Sequence, residues 1–258
     1  MIFLILPYIS FTIFILGVFY RIWVWVKTPV PLRIVTTPAP QTRKGVAWRL
    51  AGDALWFPNL FQADRLLWAA GWLFHLALWL VLLRHLRYFL YPVPGWVAGI
   101  QTPGLYAGYF IPFPLALLLA RRLLIDRTLY ISILGDFFAL ILLLAITVSG
   151  VLLQVFSRTY LIDVKALILG LLHFQPFIPQ AHWVFYLHFL LVMVLLIYFP
   201  FSKLMHAGGL FLSPSRNQRA NFEERFVNPW DFPVGYNPQN LSPPEKYRQA
   251  ISEPREGG

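Results

Sequence analysis

The sequence contains no cysteine among its 258 residues. Disulfide bonds, cysteine-ligated iron–sulfur clusters and the CxxCH attachment of a c-type haem are therefore excluded within this chain. A redox cofactor here would have to be held by histidine, of which there are six. Electrons carried by such a cofactor would have to leave through another subunit.

Charged residues are also scarce. They make up 12 % of the chain, against 58 % hydrophobic residues, whereas a soluble domain carries about 25 % charged residues. This polar surface is too small to cover the molecule in water and predicts an integral protein of the lipid bilayer. The formal net charge of +10 does not indicate nucleic-acid binding, because the basic residues lie between apolar runs, where they report orientation.

Five apolar segments are long enough to cross a bilayer, which takes roughly 20 residues. They are about 2–26, 66–91, 104–124, 129–157 and 183–204. The first lacks the basic start and the short apolar run of a cleaved signal peptide, so we interpret it as a span. Pro112 and Pro114 predict a kink in the third, as membrane helices tolerate. The expected fold is an all-α membrane protein with five transmembrane helices.

The distribution of Lys and Arg predicts the orientation. Sixteen of them lie in 27–65, 121–127 and 203–258, and the opposite side carries only Arg84, Arg87, Arg158 and Lys165. Basic residues accumulate on the cytoplasmic side, so we expect the N-terminus outside and the C-terminus in the cytoplasm. We divide the chain into a membrane domain, 1–206, and a cytoplasmic partner-binding tail, 207–258. From about Pro214 the tail is polar and proline-rich, which favours an extended segment that orders only against a partner.

Four histidines lie on two of the apolar segments. His75 and His85 are ten residues apart on the second, and His188 and His206 are eighteen apart on the fifth. Ionisable side chains inside a membrane are costly and count as functional-site hypotheses. Two histidines on each of two helices are suited to hold two haems, one near each face of the membrane.

The depths of these histidines suggest how they pair. The two helices run in opposite directions, so His85 and His188 share the outer level, and His75 and His206 the inner one. The match is imperfect, because straight helices separate His75 from His85 by about 15 Å and His188 from His206 by about 27 Å. Tilt, or a break near Pro200, would have to absorb the difference.

Spacing alone leaves alternatives open. The chain could hold a single haem, or it could be a cofactor-free membrane anchor or small transporter with the histidines in a proton or metal path. Transporters often show internal repeats or paired broken helices, and we find neither pattern. His173 and His182, in the connection 158–182, are interpreted as interfacial residues.

Charged neighbours of these histidines are candidates for a quinol site. Arg84 and Arg87 flank His85 and either extend to the headgroups or pair with haem propionates or a quinol head group. Asp136 is expected to cap the fourth helix, since an acidic group is favourable near a helix N-terminus.

At these residues the sequence resembles the membrane cytochrome b (gamma) subunit of respiratory nitrate reductase. Both histidine spacings recur, together with the block FPFSKLMH at the end of the fifth span and a PYI…G…R opening (Pro7, Tyr8, Ile9, Gly17 and Arg21). The similarity covers about residues 5–206. It implies five spans with an outside N-terminus and two b-type haems, the outer on His85 and His188 and the inner on His75 and His206. The family has a lysine in its quinol pocket soon after the second helix, whereas 88–104 here contains none.

Beyond His206, the stretch HAGGLFLSPSRNQRAN and NPW at 228–230 resemble a narrower branch, the M subunits of the membrane complex associated with dissimilatory sulfite reductase. This resemblance implies electron exchange with menaquinone or ubiquinone in the cytoplasmic membrane of a prokaryotic cell. It implies a cytoplasmic partner, an iron–sulfur subunit related to heterodisulfide reductase. The larger complex can add a periplasmic c-type cytochrome, a periplasmic iron–sulfur protein and a second membrane subunit.

Overall fold

The computed structural model describes residues 2–29, 39–40, 42–156, 161–213, 216–220, 226–227 and 232–233. The helices within these ranges are α1 (Ile2–Lys27), α2 (Arg43–Trp56), α3 (Pro58–Ala63), α4 (Arg65–His85), α5 (Gly95–Phe110), α6 (Pro112–Leu124), α7 (Asp126–Tyr130), α8 (Leu134–Phe156), α9 (Leu161–Leu172), α10 (Trp183–Tyr198) and α11 (His206–Leu212). Short 3-10 turns occupy Leu86–Tyr88, Phe199–Phe201 and Lys203–Met205. One antiparallel strand pair, β1 (Phe226–Val227) and β2 (Phe232–Pro233), is the exception to the predicted all-α fold in the described part.

Five helical segments in the described residues are long and apolar enough to cross a membrane, which confirms the predicted number of spans. They are Leu4–Lys27, Arg65–Tyr88, Gly95–Leu124, Leu134–Phe156 and Trp183–Phe201. At most 22 % of the most apolar 18-residue window of each is buried inside the protein. Their side chains therefore face outward for most of their length, as lipid contact requires.

Two predicted span limits were wrong. The third span begins at Gly95 rather than at 104, because its first turns contain Gly95, Gly99 and Pro103, which interrupt the apolar run without ending the helix. The third span is interrupted where the kink was predicted, since α5 ends at Phe110 and α6 starts at Pro112. The fourth span begins at Leu134 rather than at 129, because the residues before it form the separate helix α7 and a turn.

The sequence analysis did not predict two of the helices outside the spans. Helix α2 has no apolar run, but Thr42 begins it, and the Thr42 hydroxyl accepts a hydrogen bond from the Gly45 amide at 3.0 Å. Such a cap satisfies one of the four unpaired amides at a helix start. Helix α9 lies in the connection between the fourth and fifth spans, and its 12 residues are too few to cross a bilayer.

Helices α4, α5 and α6 share an apolar core. Its buried members are Phe74, Ala77, Ala107, Ile111 and Leu115. Gly104 lets α5 lie against α4, since a Cβ there would be 2.7 Å from Arg84 Cβ and 2.8 Å from the Leu80 carbonyl oxygen. Small residues at such contacts let membrane helices approach closely. The C-terminal half of α4, which carries His85, is thereby held against α5.

Residues of the PYI…G…R opening of α1 contact elements that precede and follow the fifth span, although Ile9 is exposed. Tyr8 donates a hydrogen bond to the Leu171 carbonyl oxygen at 2.9 Å. Gly17 is buried, and a Cβ built there would lie 2.6 Å from Pro200 Cβ. One turn later, the Arg21 guanidinium lies 5.5 Å from the centre of the Trp25 ring. This face of α1 therefore packs along the segment that joins α10 to α11.

Gly17→Ala should destabilise the protein, because the added methyl group meets a rigid proline ring rather than a side chain that can turn away. Overpacking of this kind costs about 1–3 kcal/mol. We expect a lower thermal midpoint in detergent for Gly17→Ala. Gly99→Ala is the control, since a Cβ there meets no atom within 4 Å. Equal midpoints for the two variants would contradict the close packing of α1 against Pro200.

The beginning of the tail is ordered against the protein itself, whereas the sequence predicted a tail that orders only against a partner. Arg216 pairs with Asp53 at 3.6 Å, and its carbonyl oxygen accepts a hydrogen bond from Arg49. The Ala220 amide donates to the Pro40 carbonyl oxygen at 3.0 Å, and Ala220 is buried. Residues 216–220 thus lie against α2 and the residues before it. Most of the remaining tail lies outside the described residues.

Candidate functional site

His75 and His206 face each other. The centres of their rings are 5.9 Å apart and the ring planes are perpendicular. His75 is half-buried on α4, with the Phe57 ring 5.2 Å away, and His206 is exposed at the start of α11. Two imidazole nitrogens each bonded to one metal at about 2.0–2.1 Å put their ring centres roughly 6 Å apart. The observed separation therefore matches a pair of axial ligands on one iron.

The break after α10 brings His206 to this position. Helix α10 ends at Tyr198, and two 3-10 turns containing Pro200 and Lys203 separate it from His206. Ser202 begins the second turn, and its hydroxyl accepts from the Leu204 amide at 3.1 Å. The 27 Å expected for a straight helix therefore does not apply, because His206 does not lie on the helix that carries His188.

His85 and His188 are the second candidate pair, and both of the segments that carry them contact α8. Arg84, which precedes His85, donates a hydrogen bond to Gln154 of α8 at 3.5 Å. His188 contacts α8 about one turn before Gln154, at Ser149 and Gly150. The late part of α4 and the early part of α10 therefore lie at the same level along α8.

Each of the four histidines directs the same ring nitrogen at a backbone carbonyl oxygen. The Nδ1 atoms of His75 and His85 lie 2.6 and 2.7 Å from the carbonyl oxygens of Gly71 and Val81, four residues earlier. Nδ1 of His206 lies 2.9 Å from the Lys203 oxygen, and Nδ1 of His188 lies 3.1 Å from the Ile146 oxygen. A carbonyl oxygen only accepts. Each neutral ring must therefore be protonated at Nδ1, which leaves the Nε2 lone pair to bind a metal.

The two remaining histidines do not combine these features. His173 has the same bond, from Nδ1 to the Leu169 carbonyl oxygen at 2.7 Å, but it is exposed and contacts no second histidine ring in the described residues. His182 caps α10, and its Nδ1 accepts from the Val184 amide at 3.4 Å. This bond requires the opposite tautomer in the neutral ring. The geometry agrees with their interpretation as interfacial residues.

Two neighbours of His188 were missed by the sequence analysis. Ser149 is buried, donates to the Ile146 oxygen at 2.9 Å, and so presents its own oxygen to His188 Nδ1 at 3.0 Å. A Cβ at Gly150 would lie 3.3 Å from His188 Cε1. The sequence signal for these two residues was a serine followed by a glycine inside a span whose other residues are mostly aliphatic.

The guanidinium groups of Arg84 and Arg87 differ in whether their buried nitrogens have hydrogen-bond partners. The Arg87 guanidinium donates to Gln101 at 2.8 Å, and Gln101 in turn donates to the carbonyl oxygens of Val97 and Arg84. The Nε atom of Arg84 is buried and has no hydrogen-bond partner in the described part of the chain. The same holds for the Nε atom of Arg21 on α1. Buried polar atoms without partners are rare and call for an explanation.

The donor set fits haem. Each of the four histidines supplies an Nε2 lone pair, and the described residues include two buried guanidinium Nε atoms without partners, those of Arg84, which precedes His85, and of Arg21 on α1. Haem propionates are carboxylates, which arginine binds well. The described residues contain no group of three or more metal-ligand side chains, but axial haem ligation needs only two.

Two carboxylates, Asp64 and Asp136, form ion pairs at the ends of the spans that carry basic residues. Asp64 begins α4, accepts from the Leu67 amide at 2.9 Å, and pairs with Arg121 at 2.8 Å. The Leu67 amide and the Arg121 guanidinium hold the pKa of Asp64 below its usual value. Asp136 pairs with Arg122 and Lys203. It also accepts from the Ile133 amide at 3.2 Å, so the predicted cap of the fourth helix is present.

The chain belongs to the nitrate reductase gamma subunit family. The sequence profile of that family, described as "Nitrate reductase gamma subunit", matches residues 57–215, which include all four paired histidines. The five apolar helices and the membership of this family indicate that the chain is a multi-pass membrane protein.

Two relatives extend the similarity to most of the chain. A protein of Archaeoglobus fulgidus named "Hdr-like menaquinol oxidoreductase cytochrome b-like subunit" is 39 % identical, over 88 % of this chain and 82 % of its own. A protein of the same name from Archaeoglobus profundus is 35 % identical, over 89 % of this chain and 82 % of its own.

Proposed function

We propose that this protein is the dihaem cytochrome b subunit of a membrane oxidoreductase complex, and that it exchanges electrons between menaquinol and a cytoplasmic partner. The observation that carries the proposal is the arrangement of the histidines. His75 faces His206, His85 and His188 lie at the same level along α8, and each of the four has Nδ1 on a backbone carbonyl, which leaves Nε2 to bind iron. Hydrogen bonds of this kind orient an imidazole and raise its basicity as a ligand.

In this proposal His75 and His206 hold the inner haem and His85 and His188 the outer one. A haem with two axial imidazoles supplies one-electron transfer and has no open position for oxygen. Arg21 would satisfy its buried Nε atom on a haem propionate, and Arg84 would satisfy its own either on a propionate or on the quinol head group. The protein itself orients the four imidazoles, excludes water from the half-buried rings, and separates the two pairs along α4.

We place the quinol at the outer level, close to His85 and His188. The relatives are named menaquinol oxidoreductase subunits, which favours menaquinol over ubiquinol. Since 88–104 lacks the lysine of the family's quinol pocket, Arg84 is the cationic candidate for the head group. Arg87 is a weaker candidate because Gln101 already accepts from it.

The partner is proposed to lie on the inner side. The excess of Lys and Arg there predicts that this side is cytoplasmic, and the exposed His206 lies at that end of the protein. The tail at 207–258 would contribute to the contact. By resemblance, the partner is an iron–sulfur subunit related to heterodisulfide reductase, and the complex acts in dissimilatory sulfur metabolism in the cytoplasmic membrane of a prokaryotic cell. A periplasmic c-type cytochrome, a periplasmic iron–sulfur protein and a second membrane subunit would complete it.

A reduced-minus-oxidised visible spectrum with a pyridine haemochrome assay tests the proposal on purified protein. Two b haems per chain, reduced on addition of a soluble menaquinol analogue, are expected. One haem would mean that one histidine pair is not a ligand set. None, in protein made with adequate haem supply, would overturn the proposal and favour a cofactor-free anchor or a transporter.

A further inference from the structure

Asp136 is a buried carboxylate that holds two cations. Its side chain is 8 % exposed. Lys203 Nζ lies 2.8 Å from Oδ1 and 2.9 Å from Oδ2, and the Arg122 guanidinium lies 3.1 Å from Oδ2. Arg122 also donates to the Ser132 hydroxyl at 2.7 Å. Both carboxylate oxygens are therefore engaged, and the cluster joins the end of α6 to the start of α8.

Lys203 connects this cluster to His206. It opens the 3-10 turn Lys203–Met205, and its carbonyl oxygen accepts the Nδ1–H of His206 at 2.9 Å. Met205 in the same turn is buried, whereas His206 itself is exposed. The side chain of Lys203 is thus anchored on Asp136 while its backbone orients the imidazole. Tyr198, which precedes the turns, provides a second contact with α8, because its hydroxyl donates a hydrogen bond to the Gly135 carbonyl oxygen at 2.8 Å.

We propose that Asp136 is a positioning residue for the inner haem, acting through Lys203 on the ring orientation of His206. The inference rests on the proposed function, because it concerns His206 as an axial ligand. Neither Asp136 nor Lys203 touches the haem iron in this proposal. They fix the 3-10 turns that lead to His206, which would otherwise be held chiefly by the Ser202 cap and by the contacts of α1.

The cap of α8 and the ion pairs can be separated by substitution. Asp136→Asn keeps an oxygen that can accept from the Ile133 amide, but it removes the charge that holds Lys203 and Arg122. Lys203→Met removes the other end of the main link and keeps the backbone carbonyl that His206 uses. Removing one partner of a buried ion pair leaves an uncompensated charge. Lys203→Met is the milder variant, because it leaves Asp136 paired with Arg122, whereas Asp136→Asn leaves both cations without their carboxylate.

The experiment is a redox titration of the full-length protein, followed by visible spectra and by the low-spin EPR signals of the two haems. These signals depend on the relative orientation of the axial imidazole planes. Asp136→Asn and Lys203→Met should both shift the EPR signal that His206→Ala removes and leave the other signal unchanged. The reduction potential of that haem should rise in Asp136→Asn, which removes a negative charge, and fall in Lys203→Met, which removes a positive one.

Asp64→Asn is the matched control, because it breaks the Asp64–Arg121 pair and keeps the cap of α4. Both EPR signals should stay in place in this variant. Unchanged signals in both test variants, or equal shifts of both haems, would overturn the inference while leaving the two-haem proposal intact. Wild-type protein without b haem would overturn the proposed function first. If Asp136→Asn does not accumulate, the comparison of Lys203→Met with Lys203→Arg decides. Lys203→Arg keeps the positive charge and should keep the wild-type EPR signals, whereas Lys203→Met should shift one of them.

Discussion

His206→Ala is expected to lower the haem content from two b haems per chain to one. The variant removes one of two Nε2 donors whose rings face each other at 5.9 Å, and a single imidazole does not reproduce the bis-histidine site. His75→Ala should remove the same haem, recognised by its potential and its low-spin EPR signal. The measurement is a pyridine haemochrome assay on purified protein, combined with EPR.

The complementary variants distinguish the pairing from a general loss of stability. His85→Ala and His188→Ala should each remove the other haem and spare the first. His173→Ala should keep both haems, since His173 shares the Nδ1 hydrogen bond but faces no second histidine in the described residues. Different haems missing from His75→Ala and His206→Ala would refute the pairing.

The five spans could be predicted from sequence because they depend on a local feature. Hydrophobic length alone indicates a span, and an imidazole in such a span, such as His75, is conspicuous. Opposite helix directions then bring the late His85 to the early His188. The predicted limits of the spans were wrong where a helix continues through residues that are not strongly apolar. At Gly95, for example, glycine and proline interrupt the apolar run without ending the helix.

The parts of the site that sequence analysis missed depend on contacts between distant segments. Pro200 signalled a break, but no local rule states that the following turn brings His206 to His75. Ser149 and Gly150 form an unremarkable pair until α10 lies against them. Asp136 was predicted correctly as a helix cap, yet its link to Lys203, 67 residues later, appears only in the folded protein.

Gly150→Leu is expected to abolish haem binding at the His85–His188 pair. A Cβ at this position already lies 3.3 Å from His188 Cε1, which is tighter than ordinary van der Waals contact. The ring cannot simply withdraw, because its Nδ1 is bonded to Ser149 and to the Ile146 carbonyl oxygen. The remaining atoms of leucine must therefore displace the imidazole or separate α8 from α10. Haem content should fall from two to one per chain.

Gly99→Leu controls for the bulk of the new side chain, since its Cβ meets no atom within 4 Å, and it should keep both haems. Gly150→Ala should keep both haems and shift the EPR signal of the outer one. The double variant Gly150→Leu with His206→Ala should contain no haem, whereas His75→Ala with His206→Ala should still contain one. A haem surviving in the first double variant would mean that Gly150 and His206 serve the same site, and the assignment of His188 to a separate outer site would then be wrong.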